Sequence, residues 1–513
     1  MNLIFKERDF GDAVITPDVV YVVQSYSFHA LGGPNQATVQ AYGTKTALWE
    51  LLNWLRAPVE IVNDAGTAVW WGYVAEVTIS FNAIEIGVSI GSMYNRVNVV
   101  YSYIEPGAAA IGTRADTGWA QDDESVSAYG TRELRHSLSG DTPESAEQAR
   151  DTLLEVLKLP QAVLMPSYGR SQLNARLTLR GWWATLGWTY FSRAAFEESL
   201  TDVEASDQEM GAASGNEKVA QSFQISEAWD AYSIKVKLRT EGSPSDNVTA
   251  QLCEDNSGSP GTVLDSDTVA SSSIGATLDW VTFTLSAPAA LSASTTYWVV
   301  ISRSGAVDGT NYYVTGVDEA LGYASGVFRL YDGASWVARG TDADMLFQVT
   351  GVEETTIQIE AMANDEGQFL VGVEIEDASG VYTSPYRDGD ATALAEIASL
   401  LQRGTMNNRR LLAEVRQDRY LRVYEEAAKS ESAITLFMDD AGVLYAKWNS
   451  EPLSEDAPPV GQWCQFVDLP DTVNAGLLVD PSVFFVEYAE FRVDSQAWVS
   501  ITPVSYTHLR AHE

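Results

Sequence analysis

Alternating apolar and polar positions across residues 216–351 predict a series of short β-strands. In residues 233–239, three apolar side chains alternate with two lysines and an arginine, which is the period of a half-buried strand. Residues 280–285 and 296–301 repeat this pattern, and turns rich in Gly, Asn and Asp separate the runs. About nine such strands, spaced roughly 8–12 residues apart, predict a β-sandwich.

The chain before this stretch is predicted to be mainly β, with one early helix. Residues 59–62 and 68–74 are apolar runs joined by Asn-Asp-Ala-Gly, which predicts a hairpin. Residues 434–448 repeat the arrangement around Asp-Asp-Ala-Gly, and we interpret both as ordinary hairpins rather than an internal repeat. Residues 122–135 are predicted as a turn followed by a strand. A helix that ends before Pro58 is predicted from four leucines at helical spacing, Leu48, Leu51, Leu52 and Leu55.

Two further helices carry explicit start or stop residues. Thr142 as N-cap, Pro143 at the first helical position and Glu144 in the first turn predict the start of a helix. Its predicted buried face consists of Ala146, Ala149, Leu153, Leu154 and Leu157. A second periodic run predicts a helix at residues 394–401, and Gly404 is its stop.

The abrupt change in composition at both ends of the strand-rich stretch predicts an inserted domain. Aromatic residues crowd residues 180–192, and the chain becomes acidic and helix-forming from Glu353 onward. A tolerated insertion requires a surface loop, so its two ends should lie close together. The predicted fold class is α+β, mainly β with a few helices. The predicted segments are 1–105 (N-terminal, β-rich), 106–215 (α+β host domain, first part), 216–351 (inserted β-sandwich), 352–404 (host continuation), 405–504 (C-terminal, β-rich) and 505–513 (tail).

The composition describes a folded and strongly acidic protein. The 513 residues predict three or four domains. A hydrophobic fraction of 45%, with 15 Trp, 23 Tyr and 16 Phe, argues against disorder. Lys+Arg number 32 against 70 Asp+Glu, a net charge of −38. Such a charge repels phosphate, so we expect no nucleic acid among the partners.

The cysteines and the N-terminal residues indicate whether the protein is exported. Cys253 and Cys464 fall in different predicted domains, so we expect two small buried residues rather than a disulfide framework. Only three consecutive apolar residues precede the first charges at the N-terminus, so we expect no signal peptide. No stretch approaches the roughly 20 apolar residues of a membrane span. We therefore expect a chain that is made and kept soluble, or released by cell lysis.

The strand-rich stretch resembles a known kind of module. Its Gln-Ser-Phe at 221–223, Ser-Pro-Gly-Thr at 259–262, Trp-Val-Thr-Phe at 280–283 and Thr-Thr-Tyr-Trp at 295–298 resemble jelly-roll modules of secreted bacterial and phage proteins. The resemblance implies a jelly-roll sandwich with a glycan-binding or anchoring role. Modules of this kind often hold a structural Ca²⁺, so that ion is the one cofactor the resemblance implies, without assignable ligands.

The flanking chain resembles structural proteins of the tail tip or baseplate hub of tailed bacteriophages. The resemblance rests on Trp-Trp-Gly-Tyr-Val at 70–74, residues 127–133, the capped helix after Thr142 and Gly-Trp-Trp at 181–183. Residues 355–500 look like the continuation of the same protein. The resemblance implies a virion component that forms a homo-oligomeric ring, a trimer being favoured, and that contacts other phage tail proteins.

The last nine residues, 505–513, are different in kind. They resemble the translated sequencing-adaptor read-through found at the ends of metagenomic open reading frames. We exclude them from reasoning about the fold. The resemblance implies that the native C-terminus lies elsewhere.

Catalytic motifs are hard to find in this sequence. Only His29 and His136 lie outside the tail, and neither has a second His or Cys at ligand spacing. His136 is interpreted as an exposed strand residue. No G-x-S-x-G, Walker or G-x-G-x-x-G motif occurs. Residues 254–258 and 388–390 offer oxygen ligands for Ca²⁺, but both are equally explained as turns.

Aromatic residues beside turns are the candidate ligand-binding residues. Sugar rings stack on exposed aromatic faces, and a nearby carboxylate orients them through hydroxyl groups. The predicted site is therefore the loop with Tyr331, Asp332 and Trp336, together with Tyr312. Two arginines flank it as donors, Arg329 and Arg339. The alternative is that these aromatic residues only close the ends of the sandwich, as Trp298 within an apolar run is expected to be core.

The leading hypothesis is a non-enzymatic structural protein of a phage tail tip or baseplate, whose inserted sandwich contacts host-surface glycans. One alternative is an extracellular bacterial carbohydrate-binding or adhesion protein, which needs an export signal or anchor. Another is a polysaccharide hydrolase that works with two carboxylates. The 70 acidic residues offer so many carboxylate pairs that no pair is informative.

Overall fold

In the computed structural model of the chain, most of the sequence is described. The described residues are 1–11, 13–14, 18–82, 84–103, 114–166, 172–201, 206–320, 322–340, 342–428, 434–438, 444–448, 451–452, 455, 458–466 and 483–504. The predicted turn at 439–442 and the tail at 505–513 lie outside these residues.

The chain forms two compact units, each with its own apolar core. Unit 1 comprises Met1–Phe191, Thr355–Val381 and Gly389–Glu513, and unit 2 comprises Ser192–Glu354 and Tyr382–Asp388. Unit 2 thus begins before the compositional change at residue 216. The six segments drawn from the sequence remain a prediction.

The described residues contain 38 strands. Those up to residue 193 are β1 (Asn2–Lys6), β2 (Ala13–Val14), β3 (Val19–His29), β4 (Leu31–Gly43), β5 (Pro58–Val62), β6 (Ala68–Phe81), β7 (Ile84–Ser89), β8 (Arg96–Ser102), β9 (Arg114–Asp116), β10 (Ala120–Gln121), β11 (Glu133–Ser139), β12 (Gln161–Pro166), β13 (Asn174–Arg180) and β14 (Tyr190–Arg193). The next are β15 (Glu197–Leu200), β16 (Ser206–Met210), β17 (Lys218–Gln224), β18 (Trp229–Glu241), β19 (Val248–Asp255), β20 (Pro260–Val269), β21 (Asp279–Leu291), β22 (Thr296–Arg303), β23 (Tyr312–Asp318), β24 (Phe328–Tyr331), β25 (Trp336–Ala338), β26 (Asp344–Met345) and β27 (Phe347–Glu354). The remaining strands are β28 (Gly372–Ile375), β29 (Tyr382–Thr383), β30 (Arg387–Thr392), β31 (Leu411–Val415), β32 (Tyr420–Glu425), β33 (Ile434–Met438), β34 (Leu444–Trp448), β35 (Glu451–Pro452), β36 (Trp463–Phe466), β37 (Val483–Arg492) and β38 (Ala497–Val504).

Five α-helices are described, and one of them carries the N-cap that the sequence predicts. They are α1 (Lys45–Glu50), α2 (Asp123–Tyr129), α3 (Pro143–Leu157), α4 (Thr355–Glu366) and α5 (Ala393–Leu401). The Thr142 hydroxyl accepts a hydrogen bond from the Ser145 N–H at the start of α3, which confirms the predicted cap. Of the predicted buried face of α3, only Ala146 is fully buried.

Two local predictions need correction. Residues 122–135 are not a turn and a strand throughout, because α2 occupies Asp123–Tyr129, with the Asp122 carboxylate as its N-cap. The leucine-rich helix is shorter than predicted, since α1 gives way to a 3-10 turn at Leu51–Trp54. The start of α2 is set by its cap, since its sequence lacks an apolar period. Leu48, Leu51 and Leu55 are nevertheless buried as the periodicity predicts, although the last turn is 3-10.

Unit 2 is an antiparallel sandwich of two sheets. One sheet has the strand order β20-β19-β22-β17-β24-β25. The other is built on β15, β27, β18, β23 and β16, with β21, β26 and β29 attached. The predicted inward face of residues 233–239 is confirmed, since Ile234, Val236 and Leu238 are all 0% exposed in the shared core. Phe223 and Phe347 contribute to the same core, one from each sheet.

β15, the first strand of unit 2, pairs with β27, the strand at the end of its long segment. Glu197 lies opposite Thr350, and Leu200 lies opposite Phe347, in the β15–β27 ladder. The backbone N–H of Gly351 also donates to the Phe196 carbonyl at 2.7 Å. The chain therefore enters and leaves this sandwich at adjacent strands.

Unit 1 is built around a large sheet that combines both ends of the chain. β4 pairs with β3 and β13, and β13 pairs with β6. The predicted hairpin at 59–74 is confirmed as β5 and β6, where Ile61 lies opposite Trp70. β37 joins this sheet through β3, with Ser25 opposite Arg492. The core includes Trp70 and Tyr26, both 0% exposed.

The mainly β class with few helices is confirmed. Strands make up 52% of the chain and helices 16%. The neighbouring strands β31 and β32 pair antiparallel. The strands at 434–438 and 444–448 also pair antiparallel, as β33 and β34.

Candidate functional site

The outer face of the six-stranded sheet in unit 2 gathers aromatic and basic side chains. Residues directly opposite each other in neighbouring strands point to the same face. Lys218 of β17 lies opposite Tyr331 of β24, which in turn lies opposite Trp336 of β25. Two residues along, Ala220 lies opposite Arg329. Since Val219 belongs to the core of the sandwich, these alternate positions face outward.

A small apolar cluster underlies this outer face. Its members Ala220, Cys253, Trp298 and Val300 are at most 2% exposed, and Trp336 packs against them. The Trp298 indole N–H donates to the Asp255 carboxylate at 2.8 Å. Trp298 is therefore buried, as predicted, but it lies on the side of the sheet away from the main core. Burial raises the pKa of the Cys253 thiol to about 11, so this thiol is protonated at neutral pH.

Tyr331 and Trp336 form the aromatic part of the candidate site. They close the β24–β25 hairpin, with ring centroids 5.2 Å apart and planes inclined by 55°. Both side chains are half-buried. Trp336 covers the apolar cluster and still presents part of its ring to solvent.

Asp332 belongs to the turn of this hairpin. Its carboxylate accepts hydrogen bonds from the backbone N–H groups of Ala334 at 2.9 Å and Ser335 at 2.7 Å. The bonds from Ser335 and Ala334 hold the pKa of Asp332 below its usual value. The predicted role of Asp332 as acceptor for sugar hydroxyls therefore competes with its role in shaping the turn.

Two cations lie beside the aromatic pair. The Lys218 ammonium is 5.3 Å from the centroid of the Tyr331 ring. The Arg329 guanidinium is 5.8 Å from the centroid of the Trp298 ring, and its Nη1 donates to the Trp336 carbonyl at 3.3 Å. The buried Nε of Arg329 has no hydrogen-bond partner among the described atoms. Neither cation forms an ion pair with a carboxylate in the described part of the chain.

The other two predicted residues are placed elsewhere. Tyr312 belongs to β23 of the opposite sheet, where its hydroxyl donates to Glu209 at 3.2 Å. Arg339 donates to Gln208 at 2.8 Å and to Glu319 at 2.7 Å. The structure therefore brings together Tyr331, Trp336 and Arg329. Arg339 and Tyr312 form hydrogen bonds with other residues instead.

Sequence reasoning missed Lys218. This residue lies three positions before the Gln-Ser-Phe motif at 221–223, but it is over 110 residues away from Tyr331 in the chain. Only the β17–β24 pairing makes them neighbours. An alternating run that starts with a lysine on the polar face is a signal for an outward cation, but it does not indicate what lies next to it.

The candidate catalytic and metal-binding residues have ordinary structural surroundings. His136 is an exposed residue of β11, as predicted, and His29 accepts a hydrogen bond from the Leu31 N–H. Asp390 pairs with Arg114 and Arg135. Within the described ranges, no group of three or more His, Cys, Asp and Glu side chains is arranged to hold a metal ion. Among the described helices, none is both long and apolar enough to cross a bilayer.

No family model matches the sequence, and no curated protein matches it either. Solved structures that match weakly include the mosquito-larvicidal Cry4Aa toxin from Bacillus thuringiensis, a glycoside hydrolase family 43 arabinoxylan arabinofuranohydrolase from Bacillus subtilis, and the VP2 subviral particle of infectious bursal disease virus. Their identities are 6%, 10% and 11%, and their TM-scores are 0.16, 0.13 and 0.15.

The coverage of these structures is partial. The matches cover 59%, 55% and 67% of this chain, and 52%, 63% and 83% of the toxin, hydrolase and viral chains in that order. The chain therefore spans less than two thirds of the toxin and of the hydrolase. With TM-scores this low, the likeness carries no argument about function.

Proposed function

We propose that this chain is a non-enzymatic structural protein of a phage tail tip or baseplate, and that its sandwich contacts glycans on the host surface. The structural role is supported by the sequence resemblance of residues 70–74, 127–133 and 181–183. The glycan contact is supported by one observation, the half-exposed Tyr331–Trp336 ring pair on the outer face of the six-stranded sheet. On this proposal the protein resides in the virion, next to other phage tail proteins.

The chemistry of the hairpin fits a sugar ring. The apolar face of a pyranose packs against an aromatic ring, and the polar groups around it fix its orientation. Trp336 is held from behind by the cluster around Trp298, so little side-chain freedom is lost when a ligand binds. Lys218 and Arg329 supply donors at the edge of the ring pair.

A glycan array with the full-length chain tests this contact. We expect Trp336→Ala to lower affinity by about 5- to 150-fold, because truncating a buried aromatic contact costs ~1–3 kcal/mol. Trp280→Ala is the matched control, since Trp280 is also half-buried but belongs to β21 of the opposite sheet. Loss of thermal stability with no glycan bound by either the parent or the variant would show that the hairpin is only a structural lid.

For self-association into a ring, β12 is the surface that we propose. All six of its residues are exposed, including Val163 at 54% and Leu164 at 66%. β12 pairs with β7, and no other strand among those described pairs with it. An open edge pairs readily with another strand. β12 carries no charge, so a second copy of this acidic chain can approach here with the least repulsion.

Light scattering over a range of concentrations tests the assembly. We expect an oligomer, a trimer being favoured, and we expect Leu164→Lys to shift it toward monomer because a charge at an edge opposes pairing. Val20→Lys is the control, as Val20 is equally exposed at 66% but lies in β3. A parent chain that stays monomeric at high concentration contradicts the ring.

A further inference from the structure

We infer that the outer face of the six-stranded sheet selects acidic glycans, and that Arg329 and Lys218 bind the carboxylate of a uronic or sialic acid residue. This inference rests on the proposed glycan contact and goes further by naming the class of sugar. The site consists of Tyr331 and Trp336 for the ring and of the two cations for the charge.

The first argument is the lack of ion pairs at these two cations. Carboxylates outnumber basic residues in the chain by 70 to 32, so a surface base would be expected to find an acidic neighbour. Residues 192–354 contain five arginines. Among the described residues, four of them form ion pairs, namely Arg193, Arg239, Arg303 and Arg339, and Arg329 does not. An arginine left unpaired in such surroundings is available to an acidic ligand.

The second argument is the shared position of the two cations. Lys218 and Arg329 lie on neighbouring strands, two residues apart in register, and such diagonal neighbours have Cα atoms about 7–8 Å apart. A single sugar residue can therefore reach both. The planar guanidinium suits a carboxylate in two-point contact, whereas the lysine acts as a point charge on a flexible stem.

The third argument is that two nearby carboxylates, those of Asp332 and Asp255, already accept hydrogen bonds. Asp332 is held by the backbone of its own turn. Asp255 accepts hydrogen bonds from the Trp298 indole N–H and from the Gly258 N–H. These bonds hold both carboxylates in their present orientations, in which neither forms an ion pair with Lys218 or Arg329.

The net charge of −38 opposes this binding only weakly at physiological salt. Charges are largely screened beyond a Debye length of about 8 Å at 0.15 M ionic strength. A carboxylate bound beside Arg329 and Lys218 is therefore governed by charges in the immediate neighbourhood. The acidic remainder of the surface disfavours non-specific adsorption of anionic polymers, which leaves this face as the preferred contact.

Calorimetric titration of the full-length chain tests the inference. The probes are oligosaccharides of galacturonic, mannuronic and sialic acid, each compared with its methyl ester, which keeps the ring and removes the charge. We expect at least one acid to bind about tenfold or more tightly than its ester, as a charge-assisted hydrogen bond is lost. Arg329→Gln should lower the affinity for the acid to that for the ester.

Matched variants separate this inference from its premise. Lys235→Gln changes the net charge equally, but Lys235 lies on β18 of the opposite sheet, so it should leave binding unchanged. If acid and ester bind equally and Trp336→Ala abolishes both, the glycan contact stands and the selection for acids is wrong. If acids bind but neither Arg329→Gln nor Trp336→Ala affects them, the attraction is non-specific and the inference is overturned. If no acid, ester or neutral glycan binds, both the contact and its selectivity fail.

Discussion

The guanidinium of Arg303 is held at several points inside unit 2. Its Nε and Nη2 donate to the two carboxylate oxygens of Asp246 at 2.9 and 2.7 Å, and its Nη1 donates to the carbonyls of Gly211 and Asn311. The side chains of Arg303 and Asp246 are only 8% and 14% exposed. A buried ion pair of this geometry fixes the ends of three loops. Its importance for stability appears as the free-energy cost of removing one of the two partners.

Arg303→Met should therefore destabilise unit 2 strongly. Removal of one partner leaves the Asp246 carboxylate buried without a counter-charge, a change that costs about 3–5 kcal/mol. Urea denaturation of the full-length chain measures this effect. The double variant Arg303→Met with Asp246→Leu should recover part of the loss, and a double variant as unstable as Arg303→Met alone would contradict the ion-pair explanation.

The same pair predicts a dependence of stability on pH. Burial alone would raise the pKa of Asp246, but hydrogen bonds from Arg303 and from the Gly305 N–H outweigh it and hold the pKa below its usual 3.8. A depressed carboxyl pKa stabilises the fold above the unfolded-state value, and this stabilisation is lost as pH falls through the folded-state value. The difference in unfolding free energy between the parent and Arg303→Met should thus shrink below about pH 4. A difference that stays constant down to pH 2 would contradict it.

Single residues were predictable where the reason is local. Trp298 sits in an apolar run, and it is buried as expected. Tyr312 and Tyr331 look alike in the sequence, because each stands at the end of a short strand beside a turn. The structure places them on different sheets. Strand order decides which residues meet, and strand order depends on long-range pairing that no local pattern encodes.

At the scale of elements, the β24–β25 hairpin shows how a turn supports a candidate site. Asp332 organises the turn, and the turn sets the spacing of Tyr331 and Trp336. Asp332→Asn keeps an oxygen that can accept the same backbone hydrogen bonds, whereas Asp332→Ala does not. We expect glycan affinity to survive in the Asn variant and to fall in the Ala variant, as measured by the same array. Equal loss in both variants would instead assign the carboxylate a direct contact with the sugar.

Helices were predictable where capping residues coincide with an apolar period. α3 has both, with Thr142 and Pro143 at its start and leucines at helical spacing. α2 has the cap, Asp122, and two acidic residues in its first turn, but its seven residues contain only three apolar side chains. An expectation based on periodicity misses such a helix, because the N-cap and the tertiary contacts of Ser125 stabilise it.

At the scale of the whole molecule, the compositional boundary and the structural boundary differ for a physical reason. β15 and β16 precede residue 216, and their sequences, Glu-Glu-Ser-Leu and Ser-Asp-Gln-Glu-Met, have too few apolar residues to predict strands. They become strands by pairing with β27 and β23. Polar edge strands recruited in this way complete a sheet without a hydrophobic period of their own.

Two separate cores predict two unfolding transitions. One core contains Trp70 and Phe5 in unit 1, and the other contains Phe223 and Phe283 in unit 2. Units with their own cores often unfold as separate cooperative steps. Differential scanning calorimetry of the full-length chain should therefore resolve two transitions. Phe223→Ala, which removes a fully buried ring at a cost of about 3–5 kcal/mol, should lower the midpoint of one of them, and Phe5→Ala should lower the other. A single transition that both variants shift would mean that the two units unfold as one.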